Sequence, residues 1–416
     1  MWDPYAEFER HVLPNGLTVY VAEAPSKGFE IFRFIIHSGS EADPAERPGM
    51  AHFVEHLANK NAPLPTIELR DFFIDLGGRA YLGGTSWNGT SYGFTLPVDI
   101  RSCARGLELF GSMLLTARLE KGVEEERRVI LEEWKEDYVV KEVTWDPISR
   151  RRQALYPGHP LHSFVCPLGT PESILAITHQ ELQTHYDRWY TPANMTIVAL
   201  GGLAPSTLVS LVIESVFGTG KPGVRRPVPV PFDAPKPVDT GFVLRLNPHV
   251  PGFQNMRYVS AAATTIPTNP AAMEVAWELL SQELFDEIRE KRQWTYDVSP
   301  VWEPLGSSVE FRVHCENANL SAEHDFDGCV TMCIERCATQ TARFEKVRRR
   351  RIAAKQMIDP NHHQIVNECG ESLAHYHSVR TLGDKIANLE SLSMPEVQGV
   401  LERLAPERRF TVLMRP

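Results

Sequence analysis

A proline-rich segment near the middle of the chain constrains the architecture more than any other feature of the sequence. Its prolines stand at positions 222, 227, 229, 231, 235 and 237. Each proline fixes φ and removes a backbone donor, so the segment cannot form a regular helix or a central strand. A chain of 416 residues also exceeds the size at which one hydrophobic core keeps growing. We therefore predict an extended linker at 218–237 between an N-terminal domain at 1–217 and a C-terminal domain at 238–416.

The apolar patterns within each half predict an α+β fold. Alternating or continuous apolar runs indicate strands, beginning at 17–21 after a turn, and longer runs at about 100–117 and 121–154 have helical periodicity. A helix, a proline and a strand at 181–200 recur with an offset of about 215 residues, which indicates an internal duplication. We expect two homologous αβ-roll domains, each with an antiparallel-rich sheet and helices packed on it.

Composition excludes several classes of function. The net charge of −10 and the pI near 5.9 argue against a nucleic-acid-binding protein, which needs a basic face. The sequence shows no signal peptide at its start and no apolar run of membrane-spanning length. Seven cysteines, an odd number spread over a long chain, suit a reducing compartment. We expect a cytoplasmic protein without a membrane or nucleic-acid partner.

The segment His52-Phe53-Val54-Glu55-His56 has the spacing of a metal site. Two histidines four residues apart project from the same face of a helix, and neutral imidazoles suit zinc. Glu55 can reach toward the same side, where a carboxylate can act as the general base that takes a proton from water. The order H-x-x-E-H is the inverzincin signature and indicates a zinc metalloendopeptidase.

A zinc site also needs a third protein ligand, and the acidic helix pattern at 124–134 offers candidates. Glu126 and Glu133 are two helical turns apart and therefore share one face of that helix. This arrangement can present one carboxylate to the metal and the other to a residue that holds the metal. Most acidic helices of this kind are simply solvated faces, so the helix alone does not indicate a metal site.

With these motifs, the sequence resembles the M16 (pitrilysin/insulinase) family of metallopeptidases, in the short two-domain type akin to mitochondrial processing peptidase. In that family the ligand glutamate follows H-x-x-E-H after 76 intervening residues, which selects Glu133 here, and an acidic residue seven positions earlier matches Glu126. Three other segments resemble the family's first strand, mid-domain loop and domain end: 13–19, 168–174 and 190–195. The resemblance implies His52, His56 and Glu133 as zinc ligands, with Glu55 and Glu126 as catalytic residues.

The resemblance also implies a substrate-binding pair in the second half. The segment at 284–296 is similar to the family segment that carries an arginine and a tyrosine, matched here by Arg289 and Tyr296. Both side chains can stabilise the negative charge that develops on a peptide carbonyl. Short members of the family close a chamber by pairing two subunits, so the pair is expected to serve the partner's site in a homodimer, or in a heterodimer with a related subunit.

The expected substrates are peptides or small unfolded polypeptides that add to an edge strand. The family's usual Asn-Ala pair on that strand falls on Leu82 and Gly83, so a side-chain contact to the substrate is expected to be lost. The rival hypothesis is a non-catalytic scaffold or assembly subunit of the same fold.

Overall fold

Two mixed β-sheets with helices packed on them form the framework of the described part of the molecule. The computed structural model describes residues 3–24, 28–136, 145–164, 166–227, 236–237, 240–245, 256–306, 308–323, 325–357, 360–376 and 378–416. Residues 228–235 of the predicted linker and the stretch 137–144 of the predicted helix at 121–154 lie outside the described residues. The α+β prediction is confirmed.

The first sheet has six strands in the order β1-β2-β6-β3-β5-β4, in which only the pairing of β2 with β6 is parallel. Its strands are β1 (Glu9–Val12), β2 (Thr18–Glu23), β3 (Phe29–Ile36), β4 (Arg79–Thr85), β5 (Thr90–Pro97) and β6 (Met195–Gly201). The last strand in this order, β4, is an edge strand, so one side of its backbone is not paired within the sheet.

The second sheet repeats this plan with five strands in the order β7-β11-β8-β10-β9. Its strands are β7 (Gly241–Arg245), β8 (Met256–Thr265), β9 (Asp297–Leu305), β10 (Ser308–Ala318) and β11 (Phe410–Arg415). The order matches β2-β6-β3-β5-β4 position by position, and the parallel pair, β7 with β11, occupies the corresponding place. The two halves are therefore topological copies, as the duplicated pattern predicts.

Helices pack on both faces of each sheet. In the first half they are α1 (Met50–Lys60), α2 (Thr66–Asp75), α3 (Ile100–Leu115), α4 (Val123–Trp134), α5 (Trp145–Leu155), α6 (Pro171–Ala176), α7 (His179–Trp189), α8 (Pro205–Glu214) and α9 (Val216–Thr219). In the second half they are α10 (Ala271–Leu284), continued by a π-helical segment (Phe285–Lys291), α11 (Phe326–Cys337), α12 (Thr341–Gln356), α13 (His362–Tyr376), α14 (Leu382–Ser391) and α15 (Met394–Glu402). None of the described helices is long and apolar enough to span a membrane.

The start of the last long helix before the final strand is built in the same way in both halves. Thr178 and Glu181 form a capping box at α7, and Ser393 and Glu396 form one at α15. Each box satisfies backbone N–H groups that a helix end leaves unpaired, and so fixes where the helix begins. A short 3-10 turn that begins at a proline then leads into β6 and into β11.

One helix of each half packs on the outer face of the other half's sheet. Helix α13 buries Ile365, Val366, Cys369 and Leu373 in a cluster with first-sheet residues that include Ile31. In the opposite direction, Leu155 of α5 and the residues after it pack against the outer face of the second sheet. These reciprocal helices join the two halves through their cores.

Candidate functional site

Helix α1, which carries the H-x-x-E-H motif, begins at a rigid turn. Gly49 has a φ of +92°, and a Cβ at this position would lie 2.5 Å from the carbonyl oxygen of Leu168, so the turn needs glycine. The carboxylate of Asp43 accepts hydrogen bonds of 2.8 Å from the N–H groups of Gly49 and Ala51. These bonds satisfy donors of the first turn and fix the direction of the helix.

The structure brings His52, His56 and Glu133 together. Oε2 of Glu133 lies 3.8 Å from Nε2 of His52 and 3.6 Å from Nε2 of His56. One ligand atom from each of the three side chains lies within 4.8 Å of the others. A tetrahedral zinc site with bonds of about 2.0 Å places its ligand atoms about 3.3 Å apart. The two distances from Glu133 exceed this spacing by about half an ångström or less, and the three side chains fit a zinc ion once they draw closer together.

The two imidazoles have different surroundings. Burial, reinforced by the nearby His56, lowers the pKa of His52 to about 3, so His52 is neutral and able to bind a metal. Within the described residues, the buried Nδ1 of His52 has no hydrogen-bond partner. Burial also opposes the charged form of His56, but the hydrogen bond to Glu126 and nearby carboxylates outweigh it and raise its pKa.

Glu126 orients His56 from the side away from Glu133. Its Oε2 lies 3.1 Å from Nδ1 of His56, which leaves the other ring nitrogen, Nε2, directed toward Glu133. Glu126 and Glu133 share one face of α4, and between them Ile130 is fully buried in the core. The expectation that one helix face presents both carboxylates is thus met by the geometry.

The carboxylate of Glu55 lies against the edge strand β4. The hydroxyl of Thr85 donates a 2.7 Å hydrogen bond to Oε2 of Glu55. Gly83 has a φ of +144°, and a Cβ there would lie 2.5 Å from Oε1 of Glu55. Burial raises the pKa of Glu55, although the bond from Thr85 acts in the opposite direction. No sequence pattern indicates a role for Thr85, because only the fold brings this strand onto α1.

The register of β4 shifts between Tyr81 and Gly84, where Leu82 and Gly83 replace the expected Asn-Ala pair. A residue inserted in this way bends a strand and changes the direction of its backbone groups. The irregularity lies beside the carboxylate of Glu55.

Arg289 lies in the π-helical segment, and Tyr296 follows shortly after the end of that segment. The two side chains are in contact. The Arg289 guanidinium stands 5.3 Å from the centre of the Tyr296 ring and 4.7 Å from that of Phe285. Tyr296 is 86% exposed. Among the described residues, no hydrogen bond or ion pair joins this pair to His52, His56 or Glu133. Its substrate-binding role stays a prediction.

Comparison with known proteins agrees with this geometry. Residues 18–149 match the model of the family described as "Insulinase (Peptidase family M16)", and residues 176–306 match that of the "Peptidase M16 inactive domain". The chain belongs to the M16 peptidase family. The H-x-x-E-H helix lies inside the first match, and the second match runs from the end of α6 in the first half to the end of β9 in the second. The M16 prediction from the sequence is confirmed.

Similar M16 proteins include a mitochondrial-processing peptidase beta subunit from Blastocladiella emersonii, 31% identical over 50% of this chain and 43% of that protein. An uncharacterized zinc protease from Mycobacterium tuberculosis (strain ATCC 25618 / H37Rv) is 29% identical over 75% of this chain and 71% of its own length. The match thus spans less than half of the length of the first of these M16 relatives.

Solved structures share the M16 fold over the whole length. A protease from Helicobacter pylori superposes with a TM-score of 0.81 at 20% identity and covers 100% of both chains. An M16 inactive-domain protein from Pseudomonas fluorescens gives a TM-score of 0.83 at 17% identity, with 98% of both chains covered. The two-domain architecture is therefore that of short M16 proteins.

Proposed function

We propose that this chain is a zinc-dependent endopeptidase that cleaves peptides or small unfolded polypeptides. The observation that carries the proposal is the convergence of His52, His56 and Glu133 beside the buried carboxylate of Glu55. Zinc in this position, when bound, supplies a Lewis acid that makes water nucleophilic near neutral pH. His52, His56 and Glu133 would hold the ion with three protein ligands, the number found in catalytic zinc sites.

The chain's own residues account for the proton transfers. Glu55 takes the proton of the attacking water, holds it on its carboxylate, and passes it to the amine nitrogen as the peptide bond breaks. The raised pKa of Glu55 suits a group that must both accept and donate a proton. Glu126 keeps the ring of His56 in the ligand orientation, and the hydroxyl of Thr85 limits the positions that Glu55 can adopt.

The proposal includes a chamber formed by two chains, in the first instance a homodimer. Arg289 and Tyr296 are available for this role, because Tyr296 is exposed and the pair does not contact the ligands of its own chain. The substrate would add as a further strand to β4, whose outer edge is unpaired in the first sheet.

The catalytic proposal is tested with Glu55→Gln and a matched control, Glu132→Gln, which alters an α4 carboxylate bonded to Lys135. We expect wild type and both variants to hold zinc, and Glu55→Gln to cleave peptides about 10²–10⁴-fold more slowly. Cleavage by Glu55→Gln at the wild-type rate would contradict the assigned base. A zinc-loaded wild-type protein that cleaves no peptide in a broad library would instead identify a scaffold subunit.

The dimer is tested by complementation. Glu55→Gln and Tyr296→Phe are each expected to be inactive alone, and mixing them returns activity if each zinc site uses its partner's tyrosine. No recovery, in a mixture shown by mass spectrometry to contain mixed dimers, would contradict the shared site. We also propose a cytoplasmic location, supported by seven free cysteines; fractionation of the source cells tests it.

A further inference from the structure

Away from the candidate zinc site, a pocket lies on the outer face of the first sheet, under the beginning of α13. It has a volume of about 250 Å³. Arg33 of β3, Gly93 of β5 and Tyr81 of β4 stand side by side in register across the sheet. His363 and Asn367 of α13 close the pocket from above. Because Gly93 has no side chain, the space between the other two strands stays open.

The pocket is lined by basic side chains, and none of its described lining residues is acidic. Arg33, Arg79 and His363 all contribute to its wall. Arg33 stacks 4.3 Å over the ring of Tyr81 and donates a hydrogen bond to the side-chain oxygen of Asn367. Neither of these two partners carries a negative charge. No ion pair within the described part of the chain includes any of these three basic residues.

The charged groups that act on the pKa values of Arg33 and His363 are themselves basic side chains. Burial lowers the pKa of Arg33, and the charge of Arg79 acts in the same direction while Tyr81 opposes it. Burial likewise lowers the pKa of His363, reinforced by Arg79 and Arg33. A partly buried guanidinium beside a second guanidinium and an imidazole is unfavourable unless an anion is bound among them.

Other buried or half-buried arginines of the chain have an acidic partner. Arg151 lies 3.0 Å from a carboxylate oxygen of Glu310, and Arg226 lies 3.2 Å from one of Glu41. Where the fold removes these guanidinium groups from water, it supplies an acidic partner. The pocket under α13 departs from this pattern, and the missing negative charge is the observation that points to a ligand.

We propose that this pocket binds one oxyanion group, a carboxylate or a phosphate, between Arg33, Arg79 and His363. Guanidinium groups present forked donors that match the oxygens of both anions. The beginning of α13 adds the partial positive charge of a helix N-terminus. The anion has two possible sources: a free phosphate, or an acidic residue of a bound peptide.

The peptide source rests on the proposed endopeptidase function. Arg79 begins the edge strand β4, and Thr85, which bonds Glu55, ends it. Six residues of strand separate the two by about 20 Å. A peptide lying along β4 from the catalytic site would therefore bring an acidic residue, several positions from the cleaved bond, to the pocket.

The site is tested by isothermal titration of the full chain with inorganic phosphate, with N-acetyl-glutamate amide, and with N-acetyl-glutamine amide as the neutral comparison. Because no protease activity is measured, failure here leaves the endopeptidase proposal untouched. Arg79→Gln changes an exposed side chain and is expected to preserve folding. Arg33→Gln is the second variant, and Arg101→Gln, an exposed arginine on α3, is the control.

We expect phosphate or the glutamate derivative to bind, the glutamine derivative not to bind, and Arg79→Gln to weaken binding about tenfold. Arg101→Gln should bind as the wild type does. Binding of phosphate alone supports the free-anion source, and binding of the glutamate derivative alone supports the peptide source. No binding of either at about 10 mM, or binding unchanged in Arg79→Gln, would overturn the proposal.

Discussion

The hydroxyl of Thr85 donates a 2.7 Å hydrogen bond to Oε2 of Glu55, and this bond ties the edge strand β4 to helix α1. The edge strand is also where the proposed substrate adds. The group that positions the general base and the backbone that would hold the peptide therefore belong to the same strand. Any displacement of β4 moves both together, which keeps the base aligned with the bound peptide.

Removing this hydrogen bond should affect turnover more than substrate binding. In Thr85→Val the side chain keeps its shape and loses its donor, so the Glu55 carboxylate is less well positioned. We expect kcat to fall about 10- to 100-fold with KM nearly unchanged. Thr85→Ser retains the hydroxyl and should recover most of the rate. Equal losses in the Val and Ser variants would show that the hydroxyl does not act through Glu55.

Glu126 should tune the affinity of the proposed zinc site. In Glu126→Gln, His56 keeps a neutral acceptor but loses the negative charge 3.1 Å from its Nδ1. We expect the Kd for zinc, measured by competition with a fluorescent chelator, to rise about 10- to 100-fold. Glu125→Gln changes the neighbouring carboxylate, which is bonded to Lys60, and serves as the control. An unchanged Kd in Glu126→Gln would remove Glu126 from the site.

Glu310 should make the stability of the fold sensitive to acid. Burial opposes its charged form, but the charges of Arg151 and Arg152, with that of Arg312, lower its pKa to about 2 from an ordinary 4.5. The stabilisation of the folded state by the charged Glu310 is fully present above pH 4.5 and is lost as the pH falls toward 2. Its size is on the order of 3 kcal/mol.

Urea unfolding of the metal-free protein between pH 2 and pH 7 measures this contribution. Glu310→Gln should unfold more easily at pH 7, since it leaves Arg151 and Arg152 buried without their carboxylate, and its stability should vary less below pH 4.5. Glu323→Gln, which alters a carboxylate paired with Arg415, is the comparison. An acid slope in Glu310→Gln equal to that of the wild type would contradict the assignment.

Glu30 should give the stability of the fold the opposite dependence on pH. It is fully buried in β3, and burial raises its pKa to about 7, although the N–H of Leu203 bonds one oxygen. The folded state thus holds a proton that the unfolded state releases above pH 4.5. Stability should fall as the pH rises from 4.5 through 7, by about 3 kcal/mol.

Glu30→Gln mimics the protonated side chain and should remove this loss. We expect the variant to be more stable than the wild type at pH 8 and to match it near pH 4.5, as measured by thermal unfolding. Glu9→Gln, at the exposed start of β1, should change neither value. If Glu30→Gln is destabilised at pH 8, the carboxylate is charged in the native state and the raised pKa is incorrect.

The sequence was sufficient to predict the geometry of the ligand cluster because that geometry is local. The four-residue spacing of His52 and His56, and the seven-residue spacing of Glu126 and Glu133, each determine one helix face. Only the pairing of α1 with α4 is long-range, and the family resemblance supplied it. The duplicated topology followed in the same way from a pattern that recurs along the chain.

Other features could not be predicted, since apolar periodicity shows that a helix has a buried face but not which surface covers it. Helix α13 packs on the first sheet, and this packing depends on the whole fold. The contact of Thr85 with Glu55 likewise needs the position of β4 against α1. The location of Arg289 and Tyr296 relative to a zinc site depends on a second chain, which one sequence does not describe.

The reciprocal helices α5 and α13 have a consequence for biogenesis. During synthesis, residues 1–217 leave the ribosome well before α13, so the outer face of the first sheet, with Ile31 and Val198, remains uncovered until α13 has been made. An isolated N-terminal half would expose this apolar surface permanently, and such surfaces promote aggregation. The two halves should therefore yield soluble protein only when they are expressed together, whether as one chain or as two complementing fragments.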